Sequence, residues 1–341
     1  MTTTIDDIAR DTKLSSATIS RVLNSSGYVK KETREKVVKS MEKLNYAPSA
    51  IARSLSMMET NIIGVVVPDI NNPFFSEVIK GISSLADTHN LNMFLCDTDE
   101  NHQGKELKQL RLLKEQRIRG LIITPTSEND ENTAKYLSEM EKFGIPVVLI
   151  DRDIKGSTLD GVFVDNTGGA FAATNVLINE GHKRIAIISG PITSLPGRGR
   201  LEGYQKAYRS NGYQIDEELI MLGDFKFESG YYLTQKILSM QDRPTAIFCS
   251  NNLMTLGCMK ALREACLKIP QDISIISFDE IEAFNILGLN ISYVARPTKE
   301  MGWEAMGILL TKMDVENTNT TQRRVILPTN LVLMGSEKRM S

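Results

Sequence analysis

The sequence predicts a small N-terminal all-α helix-turn-helix domain, followed by a large α/β body of two lobes, each built on a doubly wound parallel sheet. Three observations predict this fold class. Apolar residues near the N-terminus recur at helical spacing in two short groups. From Asn61 onward, short apolar runs alternate with amphipathic helices, which is typical of a parallel sheet covered by helices. This rhythm runs through the body twice.

The helix-turn-helix is predicted between Ile5 and Leu23. Each of the two apolar groups covers one face of a short helix. Residues 12–15 between them are too few for anything but a tight turn, and the Ser15 side chain can cap the second helix. The second helix of such a motif enters the DNA major groove, although an ordinary helical hairpin is the alternative. The residues of this helix predicted to face DNA are Ser16, Ala17, Ser20, Arg21 and Asn24.

Two further helices are predicted before the body. Lys31–Leu44 is amphipathic, and its inner face carries Val37, Val38, Met41 and Leu44. The next segment has Pro48 in its first turn and is well under about 12 residues long, too short to be stable alone. We predict that it is a hinge helix whose Leu55 wedges into the minor groove, or alternatively packs only against its dimer mate. We also assign to the DNA interface Ser15, Tyr28, Thr33, Ser49 and Ala52.

The body is predicted to contain two series of strands and helices. The first series has strands at Ile62–Val67, Met93–Cys96, Leu121–Ile123 and Val147–Ile150, and helices at Phe74–His89, Lys105–Gln116 and Asn132–Phe143. The second has strands at Val162–Val164, Ile185–Ile188, near Met221, at Ala246–Cys249 and at Ile273–Ser277, and helices at Ala170–Asn179, Arg200–Arg209, Ser229–Met240 and Leu253–Ala265. Two lobes of this kind fit a periplasmic-binding-protein-like body.

Composition and charge exclude several classes of protein. The chain of 341 residues has a net charge of −2, but residues 1–60 carry +3 and the remainder −5, as expected of a modestly basic DNA end on an acidic body. The four cysteines have no C-x-x-C spacing, so we expect buried free thiols in a reducing compartment and no zinc site. Without a signal region or an apolar run of about 18 residues, the protein is expected to be cytoplasmic and not membrane-bound.

The opening motifs TIDDIA, SSATISRVLN and VKKETREKVVKSMEKLNYAPSAIARSL, followed by TNIIGVVVPDINNPFF, resemble the lactose/galactose repressor family over essentially the full chain. The resemblance implies a homodimer on double-stranded operator DNA, controlled by a small molecule bound between the lobes. The family usually has Gly in the turn where this chain has Lys13, so left-handed strain is expected there.

The resemblance also implies domain boundaries. The helix-turn-helix domain is expected over 1–47, the hinge helix and linker over 48–60, and the effector-binding and dimerisation domain over 61–341. Within that domain, the first lobe would comprise about 61–161 and 291–322, and the second about 162–290 and 323–336. The last return to the second lobe would be the strand Val325–Leu333.

Aromatic and charged residues at predicted strand ends indicate a ligand site, because open α/β sheets bind ligands beyond the carboxyl ends of their strands. INNPFF and LIDRDIKG resemble the ribose-binding branch of the sugar-binding superfamily, and GRLEGY, GDFKFESGYY and PTAIFCSNN resemble the ribose repressors. Carried over by motif, the expected contacts to a pentose-like effector are Phe74, Phe75, Arg152, Arg200, Phe225, Asn251 and Asp279.

Two residues depart from the family's pattern at this site. Asn252 stands where Asp is common, and Arg296 stands where Gln is common. Arg296 either pairs internally with Asp279 or Glu280, leaving the ligand neutral, or contacts a ligand with its own negative charge. We include Arg296 among the candidate effector contacts.

These features predict a repressor of a sugar-utilisation operon. A carbon-catabolite or purine-type regulator that uses a corepressor is the alternative, and inducer and corepressor modes stay open. A solute-binding protein would carry a signal peptide and no helix-turn-helix. An enzyme is not expected, because the first strand is not followed by a G-x-G-x-x-G turn and the three histidines are scattered. No cofactor or metal is expected.

Overall fold

The helices of the N-terminal unit enclose a small apolar core. The structure, a computed structural model, describes residues 4–23, 28–46, 60–99, 104–314 and 321–340, and the chain forms two compact units, Met1–Thr60 and Asn61–Ser341. In the first unit the helices are α1 (Ile5–Thr12), α2 (Ser16–Leu23) and α3 (Lys31–Lys43). Their buried core consists of Ile8, Ile19, Val22 and Val37. Val38, predicted on the inner face of α3, is 43% exposed, and that assignment is wrong.

The turn between α1 and α2 has the predicted geometry. Lys13 adopts the left-handed conformation, with φ 56° and ψ 35°. The Ser15 hydroxyl accepts a hydrogen bond from the Thr18 N–H at 3.2 Å, which caps the start of α2 as predicted. Two helices joined by so short a turn form a helix-turn-helix.

Two sheets form the larger unit, and each has helices on both faces. The strands are β1 (Ile62–Val67), β2 (Asn92–Asp97), β3 (Gly120–Ile123), β4 (Val147–Ile150), β5 (Asp160–Val164), β6 (Ile185–Ser189), β7 (Ile220–Leu222), β8 (Ala246–Cys249), β9 (Ser274–Phe278), β10 (Ser292–Ala295), β11 (Arg324–Leu327) and β12 (Asn330–Val332). The first sheet has the order β11-β5-β4-β3-β1-β2, and the second has the order β12-β10-β9-β8-β6-β7. Described strand pairs are parallel except β10 with β12.

The helices of this unit alternate with the strands along the chain. They are α4 (Pro73–Thr88), α5 (Lys105–Glu115), α6 (Glu131–Lys142), α7 (Asn166–Asn179), α8 (Leu195–Ser210), α9 (Phe227–Leu238), α10 (Asn252–Glu264), α11 (Glu282–Ile286) and α12 (Thr298–Met313). In the part of the chain that the structure describes, no helix has the length and apolar character needed to cross a bilayer. Cys96, Cys249 and Cys258 are buried free thiols as predicted, whereas Cys266 is exposed.

The predicted boundaries between the lobes are wrong at three places. Strand β5 was assigned to the second lobe, but it pairs with β4 in the first sheet. Strand β10 pairs with β9 in the second sheet, so the chain does not leave the second lobe at Asn290. The predicted strand Val325–Leu333 is two strands in different sheets, and Pro328 between them has no N–H to continue a ladder.

The chain therefore passes between the lobes three times, after β5, after β10 and after β11. The first lobe comprises about residues 61–165 and 297–328, and the second about 166–296 and 329–340. One crossing places Arg296 directly between the lobes.

In the first lobe, α4 and α12 pack at unusually close range. A Cβ on Gly302 would lie 2.1 Å from the Val78 carbonyl oxygen, and a Cβ on Gly81 would lie 2.1 Å from the Lys299 carbonyl oxygen. Only glycine allows the two backbones to approach this closely.

Candidate functional site

Helix α2 presents an exposed strip of small and basic residues. Ser15, Ser16, Ala17 and Arg21 are exposed, and Ser20 is half-buried. The Ser16 hydroxyl donates to Asp6 Oδ1 at 3.1 Å, which ties the start of α2 to α1. In a helix-turn-helix, the second helix is the one that enters the major groove, and α2 is that helix.

The other predicted DNA contacts differ in how exposed they are. Tyr28 is 90% exposed. Thr33 is half-buried on α3. Four predicted contacts lie outside the described residues, namely Asn24, Ser49, Ala52 and Leu55.

Arg296 lies at the centre of the cleft between the lobes. Its side chain is only 4% exposed. Nε and Nη2 donate to the two carboxylate oxygens of Asp279 at 2.5 and 2.7 Å, and Nη1 donates to Asp151 at 2.9 Å. Its guanidinium carbon lies 3.5 Å from the centroid of the Phe74 ring. The internal pairing with Asp279 is therefore present, and Asp151 rather than Glu280 is the second partner.

Asp151 and Asp279 occupy equivalent positions in the two lobes. Asp151 follows β4 and Asp279 follows β9, the third strand from the same edge of each sheet. Both have positive φ, 64° and 82°, and each backbone N–H donates to the neighbouring strand. Strained non-glycine backbone at equivalent strand ends is typical of a functional position. The two carboxylates thus face each other across the cleft, with Arg296 between them.

Guanidinium groups and phenyl rings alternate across the cleft. Successive guanidinium carbons and ring centroids lie 3.5, 5.8, 3.8, 5.7 and 5.9 Å apart. Cations over aromatic faces are attracted to the π electrons. In order, the members of this ladder are Phe74, Arg296, Phe278, Arg200, Phe225 and Arg152.

Arg200 is a buried cation held by neutral groups. Its Nε donates to Asn166 Oδ1 at 2.9 Å, and its Nη1 donates to the Ser250 carbonyl oxygen at 2.5 Å. Nη2 is buried and has no hydrogen-bond partner among the described residues. Burial, and then the positive charge of Arg296, lower the pKa of the Arg200 guanidinium to about 9.

Asn251 connects the start of α10 to the loop that carries Phe225. Its Oδ1 accepts the Met254 N–H at 2.9 Å and caps α10, while its Nδ2 donates to the Phe225 carbonyl oxygen at 2.8 Å. These bonds use the side chain to hold the loop that carries Phe225.

Six of the eight predicted effector contacts line one of two cavities between the lobes. One cavity, of about 330 Å³, is lined by Phe75, Arg152 and Phe225. A second, of about 1110 Å³, is lined by Phe74, Asp279 and Arg296. Arg200 and Asn251 line neither of these two cavities. The two cavities share Asn71 and Leu253 in their linings, and the grouping of all eight residues around one ligand stays a prediction.

Two further polar contacts join the lobes. Asn252 Nδ2 donates to Asn72 Oδ1 at 2.9 Å, and Arg198 Nη2 donates to Glu128 Oε2 at 2.8 Å. Asn252 is the position where the family commonly has Asp, and here its amide supplies a contact between the lobes.

Asp151 and Phe278 stand at the predicted strand ends but are not among the predicted effector contacts. Asp151 stands directly before the predicted contact Arg152, and Phe278 directly before Asp279. Their position at the ends of apolar runs was the available signal. Among the described residues, no group of three or more His, Cys, Asp or Glu side chains could hold a metal ion.

Comparison with known proteins assigns the chain to a family. The profile described as periplasmic binding proteins and sugar binding domain of LacI family matches residues 60–334, and that of bacterial regulatory proteins, lacI family, matches residues 4–49. The HTH-type transcriptional regulator RegA of Clostridium saccharobutylicum is 34% identical over 94% of this chain and 96% of its own length. The HTH-type transcriptional repressor PurR of Vibrio vulnificus (strain CMCP6) is 35% identical over 91% of this chain and 92% of its own.

A solved structure supports the same assignment at the level of the whole chain. The lac repressor dimer bound to operator and the anti-inducer ONPF superimposes with a TM-score of 0.86 and 26% identity, covering 99% of this chain and 100% of that one. Both units of the chain are thus accounted for by one architecture, and the chain belongs to the LacI family of bacterial DNA-binding transcriptional regulators.

Proposed function

We propose that the chain is a repressor of a sugar-utilisation operon, acting in the cytoplasm as a homodimer on a pseudo-palindromic operator. A small sugar or sugar derivative bound between the lobes would control its affinity for DNA. The observation that carries this proposal is the combination, in one chain, of an exposed α2 strip and an interlobe cavity whose walls carry aromatic, acidic and basic side chains.

The DNA side of the proposal rests on the chemistry of the α2 strip. Ser16 and Ala17 are small enough for the helix to lie deep in a major groove, and Arg21 supplies a fork that can donate to a guanine edge. The exposed Tyr28 follows this helix and can reach the phosphate backbone.

The effector side rests on the cavity of about 330 Å³, which is at the small end of the usual range for ligand pockets. Phe75 and Phe225 offer apolar walls for the C–H face of a sugar ring. Arg152, only 6% exposed, can donate to hydroxyls or to a charged substituent.

A purine-type regulator that uses a corepressor is the second candidate. The similarity to PurR over 91% of this chain favours it, and the aromatic walls of the cavity would also stack on a purine base. The two candidates differ in how the ligand changes affinity for the operator, because an inducer weakens operator binding and a corepressor strengthens it.

Replacing Arg21 with Ala tests the DNA side. Loss of one bidentate base contact should cost about 1–3 kcal/mol, which is roughly a 5- to 150-fold loss of affinity for the operator selected from genomic fragments by the parent protein. Gel-shift titration of the operator and of a scrambled duplex measures it. Arg10→Ala removes an equal charge from the exposed end of α1 and should weaken both duplexes equally and slightly. An Arg21→Ala variant that still prefers the operator as strongly as the parent would refute the assignment.

A thermal-shift panel of sugars, sugar phosphates and purines tests the effector side. A ligand that binds the folded state raises the unfolding temperature, and the same ligand is then added to the operator titration. The expected outcome is a sugar that changes operator affinity. Stabilisation by a purine alone, with tighter operator binding, would favour the second candidate.

A further inference from the structure

We propose that Arg296 occupies the position between the lobes that a neutral sugar would otherwise take, so that the lobes stay closed without a ligand. The inference rests on the proposed function, because it concerns the regulation of the same cleft. It makes Arg296 the residue that decides which ligands the inner part of the cleft accepts.

The surroundings of Arg296 have the chemistry of a sugar subsite. The Phe74 ring offers an apolar face, and the carboxylates of Asp151 and Asp279 offer acceptors from opposite sides. An aromatic face and paired carboxylates are the groups that hold a sugar ring and its hydroxyls. The guanidinium uses all of them, since it stacks at 3.5 Å on Phe74 and donates three hydrogen bonds to the two carboxylates.

This cage draws its parts from both lobes. Phe74 and Asp151 belong to the first lobe and Asp279 to the second, while Arg296 lies on a crossing between them. The side chains of Arg296, Asp151 and Asp279 are 4%, 7% and 8% exposed. Separating the lobes would break the charge-assisted hydrogen bond from Arg296 to Asp151 and its stacking on Phe74, so these contacts stabilise the closed arrangement. The resident side chain therefore favours closure in the way that a bound ligand would.

The consequence for ligands is a division of the cleft. The cavity lined by Phe75, Arg152 and Phe225 stays open to a ligand. The inner position accepts a neutral pentose only if that sugar displaces a cation held by two carboxylates. Shortening or neutralising Arg296 should therefore create affinity for a neutral sugar rather than remove it.

Calorimetry with ribose compares the affinities of the full-length parent and of Arg296→Gln for a neutral sugar. The amide keeps one donating nitrogen in the cage but removes the positive charge and the two-nitrogen pairing with Asp279. We expect Arg296→Gln to bind ribose at least tenfold more tightly than the parent. Equal affinity, or weaker binding by the variant, would overturn the proposal. Ribose 5-phosphate is titrated in parallel, and its selective loss in the variant would instead show that Arg296 contacts an anionic ligand.

Chemical rescue tests the cage without any sugar. In Arg296→Ala, methylguanidinium should raise the unfolding temperature by refilling the space between Phe74 and the two carboxylates, and methylammonium at equal concentration should not. The matched control is Arg198→Gln, which breaks the ion pair between Arg198 and Glu128 across the lobes; the Arg198 side chain is 50% exposed and, among the described residues, stacks on no aromatic ring. Methylguanidinium should not stabilise that variant, and equal rescue of both would contradict the proposal.

Small-angle scattering of the parent and of Arg296→Gln tests the proposal if Arg296→Ala does not fold. The ligand-free parent should scatter as a closed form, with no contraction on adding ribose, whereas Arg296→Gln should be more open and contract. A parent that contracts with ribose would overturn the inference. Failure of the proposed function is separate, because it would appear as absence of selective operator binding while the order of ribose affinities still stands.

Discussion

Each ring nitrogen of His182 has one hydrogen-bond partner in the second lobe. Nδ1 lies 2.8 Å from the Thr245 hydroxyl, and Nε2 lies 3.1 Å from the Glu337 carbonyl oxygen. A neutral ring with its proton on Nε2 satisfies both contacts, since Nε2–H donates to the carbonyl and Nδ1 accepts from the hydroxyl. Burial lowers the pKa of the imidazole from its ordinary value of 6.5, because the buried site disfavours the charged form.

This shift predicts how stability depends on pH. Above pH 6.5 the ring is neutral in the folded and unfolded states and contributes nothing. Below pH 6.5 the unfolded chain takes up the proton first, so the free energy of unfolding falls, by at most about 1.4 kcal/mol per pH unit. Urea unfolding between neutral and mildly acidic pH should show a steeper fall for the parent than for His182→Gln. The exposed His89, replaced by Gln, is the control for removal of an imidazole from the surface. Parallel curves for parent and His182→Gln would contradict this origin.

At the scale of elements, the turn before α2 carries a strained lysine. A non-glycine residue in the left-handed region lowers stability by about 1–2 kcal/mol. Glycine avoids this strain, but it loses more conformational entropy on folding, which offsets roughly half of the stability gained. Lys13→Gly should therefore stabilise the helix-turn-helix by about 0.5–1 kcal/mol. Hydrogen exchange of α1 and α2 amides in the full-length chain measures it. Lys13→Ala removes the same charge and keeps the strain, so protection equal to that of Lys13→Gly would contradict the explanation.

The close approach of α4 and α12 gives a second test at this scale. Gly302→Ala would place a methyl group against the Val78 carbonyl and should cost about 1–3 kcal/mol. Gly307 lies on the same helix, and a Cβ there would meet nothing within 4 Å. Gly307→Ala should thus stabilise by about 0.5–1 kcal/mol through helix propensity. Unfolding in urea followed by Trp303 fluorescence compares the two, and a loss of stability in both would contradict the packing argument.

Element by element, the larger unit was largely predictable from sequence. Buried parallel strands read as continuous apolar runs, and the strand Ile62–Val67 has the bounds that its pattern predicted. Helices began up to five residues earlier than predicted, as in α8, because Ser194 caps a first turn that contains Pro196. Capping and proline were readable signals that hydrophobic periodicity alone does not contain.

For the whole molecule, membership of a sheet was much harder to predict than the strands. Strand β5 has the same apolar pattern whether it continues one sheet or begins the next, so its local sequence does not decide the lobe. The same limit applied to the cleft. The residue types at strand ends predicted a charged and aromatic site, but which partners Arg296 takes depends on the closeness of two strand ends from different lobes.

The three passages of the chain between the lobes have a consequence for premature stop codons. Strands β11 and β12 lie at one edge of each sheet, and both come from the last twenty described residues. A stop before residue 324 would remove an edge strand from both lobes at once, exposing the backbone N–H and C=O groups of β5 and β10. No truncation from the C-terminus can therefore damage the first lobe while sparing the second, because β12 follows β11 in the chain. Helices α1 and α2 precede every such stop. A chain truncated before residue 324 would therefore keep its DNA-binding helices while both lobes of its effector-binding unit are damaged.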